Sequence, residues 1–167
     1  MIEDKINLLI VDDEEQFLNS IRRSLELRDF NVTTVNGGEK ALDVACKQPI
    51  DIALVDLKMP GMDGQETLEA LKKEHKWMEI VILTGHGTID SAASCSRSGA
   101  YSYLQKPYEL DQLLSTLISA YKTMVMNRKK IEAKKMESML RLSMSNSPRK
   151  ILKRLKEIDQ AEDALIQ

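Results

Sequence analysis

The chain has 167 residues, 43% of them apolar and only 4% aromatic, and a formal net charge of −2. That length suits one ordinary domain with some chain left over, and the apolar fraction is enough for a core. No apolar run reaches the roughly 18 residues that a membrane helix needs, and "MIEDKINLLIVDD" lacks the basic, apolar, small-residue order of a signal peptide, so the sequence predicts a cytoplasmic protein with no membrane partner.

Apolar runs and helix patterns alternate from the start. "INLLIV" (6–11) is followed by Phe17, Leu18, Ile21 and Leu25 at helical spacing. The β-branched "NVTTV" (31–35) precedes a helix marked by Ala41, Leu42 and Ala45. "IALV" (52–55) precedes one marked by Leu68 and Leu71. "IVILT" (80–84) precedes one marked by Ala92, Ala93 and Cys95, with Asp90 near its start, where a negative charge suits the helix dipole. "YSYL" (101–104) precedes a helix with a wide apolar stripe of Leu110, Leu113, Leu114, Leu117 and Ile118. The runs are short, rich in Val, Ile or Thr, and continuous rather than alternating, as in strands buried on both faces. Parallel strands need crossover helices, so the order predicts a doubly wound α/β domain of about 120 residues.

Charge divides the chain. Residues 1–121 carry 12 basic and 20 acidic side chains; residues 122–156 carry 12 basic and 2 acidic; the last eleven carry acids only. Such blocks mark a change of structural unit, so two parts are expected, 1–121 and a helical extension over 122–167. The segment after Tyr121 has strong helix formers and no proline or glycine as far as about residue 142. "SNSPRK" then interrupts it, with Ser147 as N-cap and Pro148 at the first helical position, and Ile151, Leu152, Leu155 and Ile158 share one face of a last helix. Cys46 and Cys95 have no metal-ligand spacing and are read as small apolar side chains in a reducing compartment; His75, in "KKEHK", is read as solvated surface.

In open α/β sheets, ligands bind at the carboxyl ends of the strands. The first strand ends in Asp12-Asp13, the third in Asp56, the fourth in Thr84, and the fifth is followed by Lys106-Pro107. Each piece has an ordinary reading: an acid pair opens a helix, and an Asp before a Gly/Pro loop is a turn signal. Their joint occurrence at four strand ends is the unusual feature. If the first and third strands are neighbours, three carboxylates crowd one edge and either raise their pKa values or bind a cation. Oxygen-only ligands favour Mg²⁺, which shares its ligands with phosphoryl groups. A lysine and a hydroxyl then converge to hold phosphoryl oxygens, and Asp is a nucleophile for such groups.

"LLIVDDE", "ALVDLKMPGMDG", "VILTGHG" and "GAYSYLQKPYELDQLL" resemble, in order and spacing, the response-regulator receiver domains of bacterial two-component signalling, over roughly residues 5 to 121. The resemblance implies a flavodoxin-like five-stranded parallel sheet of order 2-1-3-4-5. It implies that Asp56 accepts the phosphoryl group from a sensor histidine kinase or phosphotransfer protein. Asp13 would bind Mg²⁺ directly, Asp12 through water, and the Lys58 backbone carbonyl would complete the protein ligands. Thr84 would hydrogen-bond the phosphoryl group, Lys106 would pair with it, and Tyr103 would be the aromatic switch. Lys58 and His86 would flank the phosphoryl group and tune its lifetime, and the Lys106-Pro107 peptide would be cis. A switched face of the fourth helix, fifth strand and fifth helix would control a partner or a homodimer.

"TGHGTID" and "KMPGMDG" are most similar to receivers of enhancer-binding transcription activators, yet no GxxxxGK[ST] and no evident helix-turn-helix follows. The tail's heptad reading is imperfect: Leu117, Met124, Ile131 and Ser138 form one seam, while Tyr121, Arg128, Lys135 and Leu142 form a half-basic second. A short helix assisting dimerisation is the first reading, and nonspecific nucleic-acid contact by the basic segment the alternative; docking on the acidic body, docking of a kinase or target protein, and a plainly solvated helix face are also open. An Asp-nucleophile phosphatase would carry a second acid where Lys58 stands, and a flavin-binding domain would leave the acids unexplained. The expected activity is therefore that of a phosphoacceptor rather than an enzyme.

Overall fold

Five parallel strands and five helices alternate along the chain: β1 (Ile6–Val11), α1 (Glu15–Glu26), β2 (Phe30–Val35), α2 (Gly38–Lys47), β3 (Ile52–Val55), α3 (Gly64–Glu74), β4 (Glu79–Thr84), α4 (Ile89–Arg97), β5 (Ser102–Gln105) and α5 (Leu110–Ser143). The structure, a computed structural model, describes residues 5–143 and, beyond them, Arg149, Leu152, Lys153, Lys156, Glu157 and Gln160. Ser147, Pro148, Ile151, Leu155 and Ile158, read as parts of a last helix, lie outside the described residues.

The sheet order is β2-β1-β3-β4-β5, every pair parallel. The chain runs from β1 out to the edge at β2 and returns to the other side of β1 at β3. The crevice for a ligand in such sheets opens at that reversal, between β1 and β3. Register sets Val11 beside Val55, so Asp12 and Asp56 leave neighbouring strands at the same level.

Strand residues alternate between two cores. Leu8, Ile10, Ile52, Leu54, Val81 and Leu83 face Leu18, Ile21 and Leu25 of α1 and Leu113, Leu117 and Ala120 of α5. Leu9, Val11, Ala53, Val55, Ile80 and Ile82 face Ala41 and Ala45 of α2, Leu68 and Leu71 of α3 and Cys95 of α4. Each fully buried Leu or Ile stabilises the fold by about 1.5–3 kcal/mol relative to exposure. The continuous apolar runs follow from this: with helices on both sides, every residue of β3 and all but the first one or two of β1 and β4 are buried.

Some helix faces differ from the sequence reading. In α4 the buried residue is Cys95, while Ala93 is exposed. Alanine is compatible with either environment, so it marked the helix but not its inner face. Ile118 of α5 is 42% exposed; the apolar stripe there is wider than the surface it covers. Cys46, read as a small apolar side chain, is exposed at the end of α2. Leu117, placed on a coiled-coil seam, is instead buried in the core below α5. The chain divides into two units, residues 1–124 and 125–167, and the 34-residue helix α5 runs through the boundary. In the second unit Met126, Met136, Met139 and Leu140 are exposed.

The loop after β3 is held by backbone and cap. Gly61 takes a left-handed conformation, φ 76°, which glycine adopts without the Cβ penalty. Asp63 caps α3 reciprocally with Glu66: its carboxylate accepts from the Glu66 N–H at 2.9 Å, and the Glu66 carboxylate accepts from the Asp63 N–H at 3.0 Å. The Gly64 N–H donates to the Leu57 carbonyl at 2.9 Å, and a Cβ on Gly64 would overlap the backbone of Asp56 and Leu57. Asp63→Ala is expected to cost about 1 kcal/mol, seen as a lower denaturant midpoint at unchanged slope. Gly64→Ala is expected to cost more, because a backbone rather than a flexible side chain must move.

Candidate functional site

The carboxyl ends of β1 and β3 bring three acids together. One carboxylate oxygen from each of Asp12, Asp13 and Asp56 lies within 4.8 Å of the others. Asp12 is 1% exposed and Asp56 5%, while Asp13 stands open to solvent. The strands impose this: a residue one step beyond a fully buried run is still walled by the neighbouring strands and loops.

Two further strands add groups of opposite character. Lys106, just past β5, donates from Nζ to Asp12 Oδ2 at 2.7 Å. The other oxygen of Asp12 accepts the Glu14 N–H at 2.9 Å, at the start of α1. Thr84, fully buried at the end of β4, accepts the His86 N–H at 3.2 Å, and its hydroxyl lies close enough to Asp56 to favour the ionised carboxylate. Asp56 nevertheless keeps one oxygen, Oδ1, buried and without a partner. Desolvation by burial raises the Asp56 pKa above the usual carboxylate range, and the Asp12 charge adds to the rise. The Thr84 hydroxyl, the Lys106 charge and the Leu57 N–H pull the other way without cancelling it. A buried acceptor with a raised pKa and an idle oxygen has spare capacity for a cation.

Other residues singled out in the sequence surround this cluster differently. Lys58 and His86 are exposed, and Tyr103 is half-buried with its hydroxyl 3.1 Å from the Ser91 hydroxyl. The Lys106–Pro107 peptide is cis. His75, expected as solvated surface, is half-buried, and its Nε2 is shut off from solvent without a partner. The cause is its position as the C-cap of α3, where the chain turns back and its carbonyl accepts the Met78 N–H at 3.0 Å.

Comparison with known proteins agrees with the geometry. Residues 8–118 match the family model described as response regulator receiver domain. The chain belongs to that family. An NtrX-like response regulator of Rickettsia bellii is 35% identical over 131 residues, covering 77% of this chain and 27% of that protein. The DNA-binding transcriptional regulator NtrC of Klebsiella pneumoniae is 35% identical over 115 residues, covering 67% of this chain and 24% of that protein. The chain therefore spans about a quarter of the length of these curated relatives. Among solved structures, a CheY-like receiver domain from Methanospirillum hungatei superposes with TM-score 0.72 at 26% identity, covering 74% of this chain and 99% of that one. NtrX from Brucella abortus superposes with TM-score 0.72 at 27% identity, covering 77% of this chain and 29% of that one. This chain is thus a two-component response-regulator receiver of the NtrX and NtrC kind, and no helix among its described residues is long and apolar enough to cross a membrane.

Two residues of this receiver escaped the sequence reading. Phe17 lies under Lys106, with Nζ 3.8 Å from the ring centroid; its helical spacing revealed a core-facing position, not a cation–π contact. Ser91 both closes the capping box of α4 with Thr88 and meets the Tyr103 hydroxyl. A Cβ on the nearby Gly87 would overlap the Tyr103 hydroxyl, so a side chain there would have to displace the tyrosine; the "TGHG" string held that signal.

The raised pKa of Asp56 has a thermodynamic consequence. Below the ordinary carboxylate range the group is protonated in folded and unfolded chains alike. As pH rises, the unfolded chain loses this proton first, so Asp56 lowers stability progressively until its folded pKa is passed. In chelator-treated buffer, Asp56→Asn is therefore expected to melt at higher temperature than wild type at neutral pH. The gain should shrink as pH is lowered through the folded pKa, which paired thermal melts at several pH values will check.

Proposed function

We propose that Asp56 accepts a phosphoryl group from the phosphohistidine of a sensor histidine kinase or phosphotransfer protein, and that this charge switches the face formed by α4, β5 and α5. The observation that carries the reading is the buried, unpartnered Oδ1 of Asp56 inside a cluster of three acids, facing a hydroxyl and a lysine.

The donor set fits a hard divalent cation. The clustered ligand atoms are all carboxylate oxygens, which suits Mg²⁺ rather than a softer metal. Asp12, Asp13 and Asp56 would hold it, with the backbone carbonyl of Lys58. When bound, Mg²⁺ would neutralise charge on the acids and on the transferring phosphoryl oxygens.

The chain's own residues supply the rest. Asp56, ionised, offers a carboxylate oxygen to phosphorus; the new O–P bond forms as the N–P bond to the donor imidazole breaks, and the imidazole recovers its electron pair. Lys106, now 2.7 Å from Asp12, is close enough to shift toward the phosphoryl oxygens once charge arrives there. Phe17 restrains it from below. The Thr84 hydroxyl, which favours the ionised carboxylate of Asp56, would donate to a phosphoryl oxygen after transfer. Lys58 and His86, exposed beside the acid and the threonine in sequence, would tune access of hydrolytic water.

The output would pass through α4. Thr84 ends β4, His86 and Gly87 belong to the loop that leads from it into the Thr88–Ser91 capping box, and Ser91 meets the Tyr103 hydroxyl. Movement of Thr84 therefore reaches Tyr103 through a short, bonded path. Ile89 at the start of α4 is 89% exposed, an apolar side chain offered to solvent on the switching face. A partner protein or a second copy of the chain would dock there, with the basic helix beyond residue 124 assisting.

Fluorine NMR with beryllofluoride tests the transfer site. Wild type with Mg²⁺ is expected to show one set of bound resonances, which disappears on chelation and in Asp56→Asn. Equal uptake by Asp56→Asn would remove the assignment. Light scattering of the full chain with and without beryllofluoride tests the output: a mass increase only in the complex supports dimerisation, and an unchanged mass points to a heterologous partner.

A further inference from the structure

A second group of metal-binding side chains lies far from Asp56 in the fold. Cys46 is in the last turn of α2, Glu74 ends α3, and His75 is its C-cap. Crossover helices return their carboxyl ends to the amino-terminal edge of the sheet, so this cluster sits at the edge opposite to the three acids. Sγ of Cys46, a carboxylate oxygen of Glu74 and a ring nitrogen of His75 all lie within 4.8 Å of one another. We infer that Cys46, Glu74 and His75 form a binding site for a borderline-soft divalent metal ion, of which zinc is the best chemical match.

The ligand types decide the metal class. A thiolate, an imidazole and one carboxylate select zinc-like ions over Mg²⁺ and Ca²⁺, which prefer oxygen alone. Three protein ligands with water as the fourth is a common zinc arrangement. The acids at the other edge offer only oxygen, so the two sites would sort metals by chemistry rather than compete.

The spacing is near what coordination requires. Sγ of Cys46 is 3.8 Å from Glu74 Oε2. Zinc–sulfur and zinc–oxygen bonds at a tetrahedral angle place those two atoms about 3.5 Å apart. A contraction of a few tenths of an ångström therefore closes the pair around an ion. As a thiol–carboxylate hydrogen bond the same contact is long, and a thiol is a weak donor.

The imidazole supplies the independent sign. Nε2 of His75 is buried and has no hydrogen-bond partner, although buried polar atoms are nearly always satisfied. The turn after α3 fixes the His75 backbone, whose carbonyl accepts the Met78 N–H at 3.0 Å. On binding, the Cys46 S–H proton passes to solvent as the Sγ–metal bond forms, and His75 binds as neutral imidazole. The ion would then tie the end of α2 to the end of α3, two helices packed on the same side of the sheet.

Cobalt(II) serves as the spectroscopic probe, added to the full chain with excess Mg²⁺ present to fill the acidic site. Wild type is expected to develop a thiolate-to-cobalt charge-transfer band that saturates at one equivalent and is bleached by Zn²⁺. The band should be absent in Cys46→Ser and intact in Cys95→Ser. Affinity should fall by about tenfold or more in His75→Ala and Glu74→Gln, since even groups outside the coordination sphere are worth that much. Trp77, the single tryptophan, lies two residues beyond His75, so cobalt should quench its emission in wild type with the same midpoint as the band. Cys46 and Glu74 are exposed, so their variants should keep the wild-type circular dichroism. Absence of the band in wild type, its survival in Cys46→Ser, or an affinity unchanged in His75→Ala overturns the site. Beryllofluoride uptake at Asp56 is expected to be unaffected in all four variants.

Discussion

A carboxylate held at the end of a strand with no exposed residue is the constraint on which the rest of this molecule depends. Asp56 follows four fully buried residues of β3 and is itself 5% exposed. Keeping a charge there costs free energy unless neighbours compensate. The Thr84 hydroxyl and the Lys106 charge favour the ionised form, whereas the charge of Asp12, buried beside it, makes the position worse. The result is an acid poised between states, with one oxygen idle. Fully satisfied, it would be a structural acid; left partly unsatisfied, it favours whatever brings positive charge or accepts its electrons.

The surrounding elements can be understood as holding that imbalance in place. The glycine after the β3 loop lets the start of α3 approach the backbone of Asp56 and Leu57, and the Asp63–Glu66 cap fixes the helix there. On the other side, the stretch from Thr84 to Ser91 is bonded at three points: hydroxyl to backbone, capping box, then serine to tyrosine. A packed interior is bistable rather than soft. Under the proposed switch, a displacement of Thr84 would pass along this loop toward Tyr103. A Cβ on Gly87 would meet the Tyr103 hydroxyl, so the glycine leaves room for the tyrosine in this position.

The same sheet puts different chemistry on its two edges. At the carboxyl edge the ligand atoms are oxygens, two of the three acids are buried, and a lysine intrudes. At the amino edge they are sulfur, nitrogen and oxygen, and only the imidazole is partly buried. The crossover connection makes this possible, since each α/β unit returns the chain to the opposite edge before the next strand begins.

Much of this was legible in the amino-acid string. Continuous β-branched runs separated by helical periods dictate a parallel sheet covered on both faces, because no other arrangement buries both sides of such strands. Acids placed one residue beyond two of those runs dictate an acidic cluster once the strands are adjacent. Other features depend on distance between residues remote in sequence, and no local pattern encodes them. Lys106 meets Asp12 across 94 positions, with Phe17 beneath it; Ser91 meets Tyr103; His75, in a polar string, loses its solvent because the chain folds back over it. Cys46, apolar by type, stays exposed because α2 ends there. Sequence by itself determined which elements form and which chemical groups the strand ends carry, since periodicity and residue type are local properties. Tertiary structure alone decided which groups are paired and which are left wanting a partner, since burial and contact are properties of the whole packed domain.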